Sequence, residues 1–198
     1  MKKGLSTLNI LIIPIAVAIN FVGSNIAVTL KLPMYLDAIG TIFGAILCGP
    51  LIGGIIGCIT NLVTGITNPM SLAFMPTSII LGMLTGYLSK RKMFSNIFKI
   101  CISVILMSLI SIVISAPIIV YLYGGITASG ASLVTAGLIA TGKNIWTAVI
   151  GSDGLFNTID RVISFIITMS IIKIIPDRTL IKFNLGENYV REFKNKEK

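Results

Sequence analysis

The sequence predicts an all-α integral membrane protein with six short transmembrane helices and both termini in the cytoplasm. Of its 198 residues, 55% are hydrophobic and 12% are charged, and the mean hydropathy is +0.96. Soluble domains carry about 25% charged residues. An apolar stretch at 34–66 and basic clusters at three separate positions provide the other two observations behind this prediction.

The stretch 34–66 is too long for a single transmembrane helix. One span needs about 20 apolar residues, and this stretch has 33. Gly49-Pro50 lies near its middle, where proline removes a backbone donor and glycine frees the turn. We therefore predict two short spans, at 34–48 and 51–66.

Glycines recur at intervals of four in these two spans. Gly40 and Gly44 form one pair, and Gly49, Gly53 and Gly57 form a second run. This period places residues without side chains on one helix face, where another backbone can approach closely. Glycine is also common in membrane helices generally. We favour close helix packing because both runs keep the period.

The remaining apolar runs predict four further spans, at 8–30, 70–88, 97–121 and 154–175. Pro14 lies in the first turns of the first of these spans, Pro76 lies within the second, and a basic segment at 89–92 follows the second. Residues 122–154 alternate between glycine-rich and semi-apolar sequence, so we predict a long loop there. The membrane domain is then 1–176, and 177–198 is a charged cytoplasmic tail.

The basic clusters fix the predicted orientation. They lie at Lys2 and Lys3, at 90–92 and at 178–198, and cytoplasmic segments of membrane proteins are enriched in Lys and Arg. An even number of crossings must separate clusters on the same side, which requires the break at Gly49-Pro50. The segments 31–33, 67–69 and 122–154 then face outward.

Polar side chains concentrate in the outer half of this topology. Charged and amide groups at membrane depth are costly and usually face a cavity or a partner, so we predict an outward-facing binding site. The candidate substrate-binding residues are Asn25, Tyr35, Asp37, Asn61, Asn68, Lys143, Asn144, Trp146, Asn157 and Asp160.

Several candidates have a purely structural alternative. Asp37 could be an interfacial carboxylate in contact with water, and Trp146 an interfacial anchor rather than a stacking platform. Asp160 and Arg161 are adjacent on one helix, so we expect them to face different ways. The default for Asn20 is an interhelical hydrogen bond.

The sequence lacks the constellations that catalysis requires. There is no histidine, and the three cysteines lie in apolar runs at no metal-binding spacing. Residues 137–143 match the spacing of a phosphate-binding loop, but Asn144 stands where Ser or Thr would bind magnesium. The net charge is +9. The basic residues lie where they orient the helices and contact anionic lipid, so we do not interpret them as a nucleic-acid-binding surface. We predict no enzymatic activity, no cofactor and no metal site.

Five segments carry a resemblance to a known family. They are LDAIGT at 36–41 with GPLIG at 49–53, GGIT at 124–127 leading to GKNIW at 142–146, and NTIDRVIS at 157–164. Their order over about 8–176 resembles the substrate-binding S components of energy-coupling factor (ECF) transporters.

The resemblance implies a mechanism and partners. An S component captures a vitamin or related nutrient outside a bacterial cell membrane and docks on a transmembrane T component driven by two cytoplasmic ATPases. It is thought to topple in the membrane to release the nutrient inside. In this family the ligand lies in the outer half, near the loops after helices one, three and five.

Docking in the family often uses an Ala-x-x-x-Ala pair on helix one. Here Ala16 is followed four residues later by Asn20, whereas Gly23 and Ala27 keep the small-residue spacing nearer the outer end. The resemblance therefore implies a docking face at Ala16, Asn20, Gly23 and Ala27, although it departs from the family pattern.

The residues favour a weakly charged, partly aromatic nutrient, such as an aromatic vitamin. Two other functions remain open from the sequence alone. A membrane sensor module would share the short glycine-rich helices, but the tail is short for an output domain. A self-sufficient secondary transporter would need an ionisable group near the bilayer midplane, and the predicted spans place none there.

Overall fold

A computed structural model describes residues 7–127 and 129–190 as a bundle of α-helices. Within these residues the helices are α1 (Thr7–Thr29), α2 (Ile39–Cys48), α3 (Pro50–Thr67), α4 (Met75–Lys90), α5 (Ile97–Tyr123), α6 (Ala131–Ala140), α7 (Ile145–Ile174) and α8 (Asp177–Leu180), with 3-10 turns at Pro69–Phe74 and Gly186–Tyr189. Lys2 and Lys3 of the predicted basic cluster lie outside the described residues.

The predicted fold class is confirmed, with one difference in the number of spans. Among the described residues, five helical segments are long and apolar enough to cross a membrane: α1, α3, α4 with its preceding 3-10 turn, α5 and α7. The second predicted span is helical only over the ten residues of α2. Such a helix is about 15 Å long, half of a hydrocarbon core of about 30 Å.

Helix α2 is the centre of the bundle. All ten of its residues are buried, and Ile42, Ile46 and Leu47 are inaccessible to solvent. Because neighbouring helices rather than lipid surround it, its length need not match the bilayer. Large apolar side chains on the outer helices, such as Ile15, Val113 and Ile166, are exposed instead, as expected for a surface that faces lipid.

Three of the five glycines pack against another helix backbone as predicted, whereas Gly44 meets the side chain of Ile56 and Gly49 lies in the turn between α2 and α3. A Cβ atom on Gly53 would collide with the carbonyl oxygen of Gly82 on α4, and one on Gly57 would collide with that of Ser78. A Cβ on Gly40 would likewise collide with the carbonyl of Ala16 on α1. Absence of a side chain at these positions therefore allows α3 to contact α4, and α2 to contact α1, backbone to backbone.

The break at Gly49-Pro50 is also where the sequence places it. Gly49 has a φ of 96°, a value that L-residues rarely adopt, and Pro50 opens α3 at a position that needs no backbone donor. This single-residue connection reverses the chain between α2 and α3.

Two predicted boundaries were wrong. The first connection covers residues 30–38 rather than 31–33, because Lys31 and Leu36 have positive φ values and helix resumes only at Ile39. Helix α7 begins at Ile145 rather than near 154, and the segment predicted as one long loop also contains α6. Asn144 explains the early start, because its side chain accepts a hydrogen bond from the backbone N–H of Trp146 at 2.9 Å and caps α7.

The described part of the C-terminal tail packs against one end of the bundle. The backbone N–H of Leu185 donates to the carbonyl of Leu47 at 2.9 Å, and the hydroxyls of Ser89 and Tyr189 are 2.8 Å apart. Lys90 follows Ser89 at the end of α4. The basic segments at 90–92 and 178–182 therefore share one end, as the predicted even number of crossings between them requires.

Candidate functional site

A cavity of about 200 Å³ lies at the end of the bundle opposite the tail. It is enclosed by α1, α3, α4, α5 and α7, by the connection 30–38, by the 3-10 turn Pro69–Phe74 and by the segment after α5. Its lining is rich in hydroxyl and amide residues, and its only charged residues in the described part of the chain are Asp37, Asp153 and Arg161.

The connection 30–38 is held over the cavity by a buried carboxylate on α7. Asp160 Oδ1 accepts hydrogen bonds from the backbone N–H groups of Tyr35 and Leu36, at 3.1 and 2.8 Å. The φ of Leu36 is 50°, a conformation that costs about 1 kcal/mol or more and persists only when its surroundings enforce it. Asp160 therefore fixes the backbone bend that presents Tyr35 and Asp37.

A second carboxylate on α7 anchors the Tyr35 side chain. Asp153 Oδ1 accepts the phenol hydrogen of Tyr35, and Asp153 Oδ2 accepts the hydroxyl hydrogen of Ser115 on α5 at 2.7 Å. Burial, followed by the nearby charge of Asp153, raises the pKa of Tyr35 well above its usual value. The phenol therefore stays neutral and remains a donor, which stabilises the connection against α7 and α5.

Arg161 also points inward. Its Nε donates to Asn157 Oδ1 at 3.2 Å, and its Nη1 lies 3.5 Å from Asp160 Oδ2, although neither of those two atoms makes an aligned hydrogen bond. Arg161 lines the cavity and Asp160 does not, so the two side chains face different ways, although both are buried.

Of the charged residues on the cavity wall, Asp37 has the fewest hydrogen bonds with other residues. Its Oδ1 is buried and has no hydrogen-bond partner. Burial raises the pKa of Asp37 to about 6; the positive charge of Arg161 lowers it, and the negative charge of Asp160 adds to the increase. Thr64 and Thr77 also line the cavity, and their buried hydroxyls lack partners as well. Buried polar groups are usually hydrogen-bonded, so these exceptions call for an explanation.

A family profile described as "ECF transporter, substrate-specific component" matches residues 8–172. The chain belongs to this family. No curated protein and no solved structure matches it. The family is a transporter component rather than an enzyme family, and with its spanning helices it makes the chain a multi-pass membrane protein.

Six of the ten predicted substrate-binding residues of this S component line the cavity. Asn61 and Asn157 are nearly fully buried there, and Asn68 caps the 3-10 turn by accepting a hydrogen bond from the N–H of Met70 at 3.3 Å. The complete set on the cavity wall is Asn25, Tyr35, Asp37, Asn61, Asn68 and Asn157.

The other four predicted residues lie elsewhere. Asp160 is behind the wall and acts through the backbone of 35–36. Lys143 and Asn144 are exposed beyond the cavity, and Asn144 caps α7. Trp146 packs edge-on against Tyr121, with ring centroids 5.5 Å apart. Lys143, Asn144 and Trp146 lie away from the cavity because they stand at the start of α7, beyond the cavity wall.

The residues considered for T-component docking face into the S component. Ala16, Asn20 and Ala27 are buried, and Gly23 packs against the backbone of Leu36. Asn20 donates to the hydroxyls of Thr41 and Thr60 and accepts the N–H of Gly40 at 2.7 Å. The interhelical role expected for Asn20 is confirmed, and this face of α1 is occupied by the S component's own α2 and α3.

Sequence reasoning did not select Asp153 and Arg161 or most of the cavity hydroxyls. A usable signal was present on α3, where polar residues recur at helical spacing along an otherwise apolar helix. Such a stripe predicts a face turned away from lipid. Its members on the cavity wall are Thr60, Asn61, Thr64 and Thr67, with Asn68 following.

Proposed function

We propose that this S component captures a vitamin or related small nutrient from outside a bacterial cell and delivers it through a T component driven by two ATPases. The supporting observation is the cavity, which is lined by many hydroxyl and amide residues and by residues with buried polar atoms that lack partners. Membership of the substrate-specific component family supplies the transport role.

The direction of capture follows from charge. The basic segments at 90–92 and 178–182 lie at the end opposite the cavity, and basic segments favour the cytoplasmic side. The cavity then opens toward the outside. The same polarity places the short Gly49 turn and the tail on the side where ATPase-driven subunits act.

We assign ligand contact to the cavity-lining side chains Asn25, Tyr35, Asp37, Asn61, Asn68 and Asn157, with Arg161 added from the structure. Asp160 is a positioning residue. Lys143, Asn144 and Trp146 are left out of the proposed site because they lie away from the cavity.

Native mass spectrometry tests capture directly. We expect the protein, purified gently in detergent, to carry one small molecule at close to 1:1. Energy-dependent accumulation of that molecule in cells that co-produce the T component and ATPases should stop when the ATPases are inactivated. Accumulation that persists without ATPase activity would instead indicate a self-sufficient secondary transporter.

A matched pair of variants tests the location of the site. Asn61→Ala removes a cavity amide and should weaken binding about tenfold, the loss expected for one good hydrogen bond to a ligand. Trp146→Phe changes a large aromatic residue outside the cavity and should leave affinity near wild type. Reversal of this pattern would move the site to the start of α7.

A further inference from the structure

The charged groups around the cavity are unequally compensated. Asp153 accepts a hydroxyl hydrogen on each of its two oxygens, from Tyr35 and Ser115. Asp160 accepts two backbone N–H groups and lies within ion-pair distance of Arg161. Each of these carboxylates therefore already has its counterpart within the protein.

Asp37 is less well compensated, although the positive charge of Arg161 acts on it from nearby. Its Oδ1 has no hydrogen-bond partner, and Arg161, the only basic residue on the cavity wall in the described part of the chain, lies within ion-pair distance of Asp160. Three carboxylates and one guanidinium leave the site with a formal charge of −2 when all are ionised. An isolated buried charge is costly unless a partner is supplied.

We propose that the ligand supplies this partner: it is a small molecule of zero or positive net charge whose protonated nitrogen donates to Asp37. The inference rests on the proposed capture function and names its substrate class. The Nη1 of Arg161, which lacks an aligned acceptor, takes a neutral oxygen or ring nitrogen of the same molecule. The hydroxyls of Thr64 and Thr77 complete the polar contacts.

An anionic ligand fits this arrangement less well. A carboxylate or phosphate on Arg161 would compete with Asp160 for the guanidinium and would bring a further negative charge among three carboxylates. An anionic group on the ligand and the carboxylates around the cavity would repel each other, and the repulsion is stronger in a protein interior than in water. No lysine in the described part of the chain lines the cavity to offset that repulsion.

Identification of the bound molecule tests the inference. The protein is purified from its native membrane and, in parallel, incubated in nanodiscs with an equimolar mixture of thiamine, pyridoxamine, choline, pyridoxine, riboflavin, nicotinate, pantothenate and biotin. The molecule retained in native mass spectra should carry a nitrogen that is protonated at neutral pH and no net negative charge. A retained anion, or a retained molecule without a protonated nitrogen, such as choline, thiamine or riboflavin, would overturn the inference while supporting capture. Retention of no molecule in either preparation would overturn the capture function, and the inference with it.

Replacing Asp37 by an uncharged residue provides the second test. Its probe is the molecule retained in the first test. Asp37→Asn keeps the shape and removes the charge, so affinity should fall at least about tenfold, as for a lost charge-assisted hydrogen bond. Asp37→Glu, which keeps the charge, should recover part of that loss. Asp177→Asn on α8 changes the net charge equally but lies outside the cavity and should leave affinity unchanged. Unchanged or tighter binding by Asp37→Asn would overturn the role of Asp37.

Discussion

Asp160 and Leu36 are 124 positions apart in the chain, yet the carboxylate Oδ1 of Asp160 accepts the backbone N–H of Leu36 at 2.8 Å. The same oxygen accepts the N–H of Tyr35. One buried side chain on α7 therefore determines how the first connection lies over the cavity. The position of Asp37, next in sequence, depends on this contact.

Asp160→Asn should loosen that connection. The amide keeps one oxygen acceptor but removes the negative partner of the buried Arg161, so we expect a loss of about 1–3 kcal/mol in stability. Hydrogen exchange of residues 30–38 should become faster, and the melting temperature should fall. Asp177→Asn serves as the matched control with wild-type exchange. Unaltered exchange of 30–38 in Asp160→Asn would contradict the anchoring role.

The ligand-free protein should lose stability as pH rises from about 4 through about 6. Burial raises the pKa of Asp37 from 3.8 to about 6, so the folded state holds this proton more tightly than the unfolded chain. The contribution of Asp37 is therefore fully present below the unfolded pKa and is lost above the folded pKa, by about 1–2 kcal/mol for a half-buried group.

Melting curves of wild type and Asp37→Asn across this pH range isolate that contribution. The variant should be the more stable protein at neutral pH without ligand, and the difference should shrink toward acid pH. Tyr35, Asp153, Asp160 and Arg161, the other ionisable groups near Asp37, are the same residues in both proteins. A pH-independent difference would show that Asp37 does not titrate in this range.

Gly53→Ala should be strongly destabilising, because the added Cβ would collide with the carbonyl oxygen of Gly82. Forcing α3 and α4 apart should cost about 1–3 kcal/mol. The same substitution at Gly151 on α7 meets open space and should be neutral, or stabilising by up to about 1 kcal/mol from helix propensity. Detergent-unfolding midpoints compare the two variants, and equal effects would argue against close packing of α3 on α4.

Asn20→Ala should weaken the contact of α1 with α2 and α3. It removes three hydrogen bonds and leaves the buried N–H of Gly40 without its acceptor, for an expected loss of about 2–3 kcal/mol. Asn25→Ala removes only a bond to the carbonyl of Phe21 in its own helix and should cost less than about 1 kcal/mol. Thermal unfolding separates the two, and similar melting temperatures would contradict the bridging role of Asn20.

Local patterns were sufficient to predict most of the bundle. Apolar run length located α1, α3 and α5 to within a few residues, and Gly49-Pro50 marked the reversal between α2 and α3. The boundaries that failed depend on contacts distant in sequence. Residues 34–38 are apolar enough to extend α2, but Asp160 holds them in a bent conformation that hydropathy does not register.

The candidate site was only partly predictable for the same reason. Predicted depth in the membrane directed attention to polar residues of the outer half, and six of the ten candidates line the cavity. Sequence position could not distinguish Asp37, which lacks a partner, from Asp153 and Asp160, which have partners on other elements. Trp146 has the aromatic side chain expected of a residue that stacks on a ligand, but its ring packs against that of Tyr121 instead.

The sequence by itself determined that this chain is a helical membrane protein, where its helices break, and which glycines bring helix backbones together. These properties follow from hydrophobicity, backbone freedom and side-chain size, which act over a few residues. Only the tertiary structure decided which polar groups are satisfied within the protein and which remain for a ligand. That distinction depends on hydrogen bonds and charges between segments more than a hundred residues apart, and no local pattern records them.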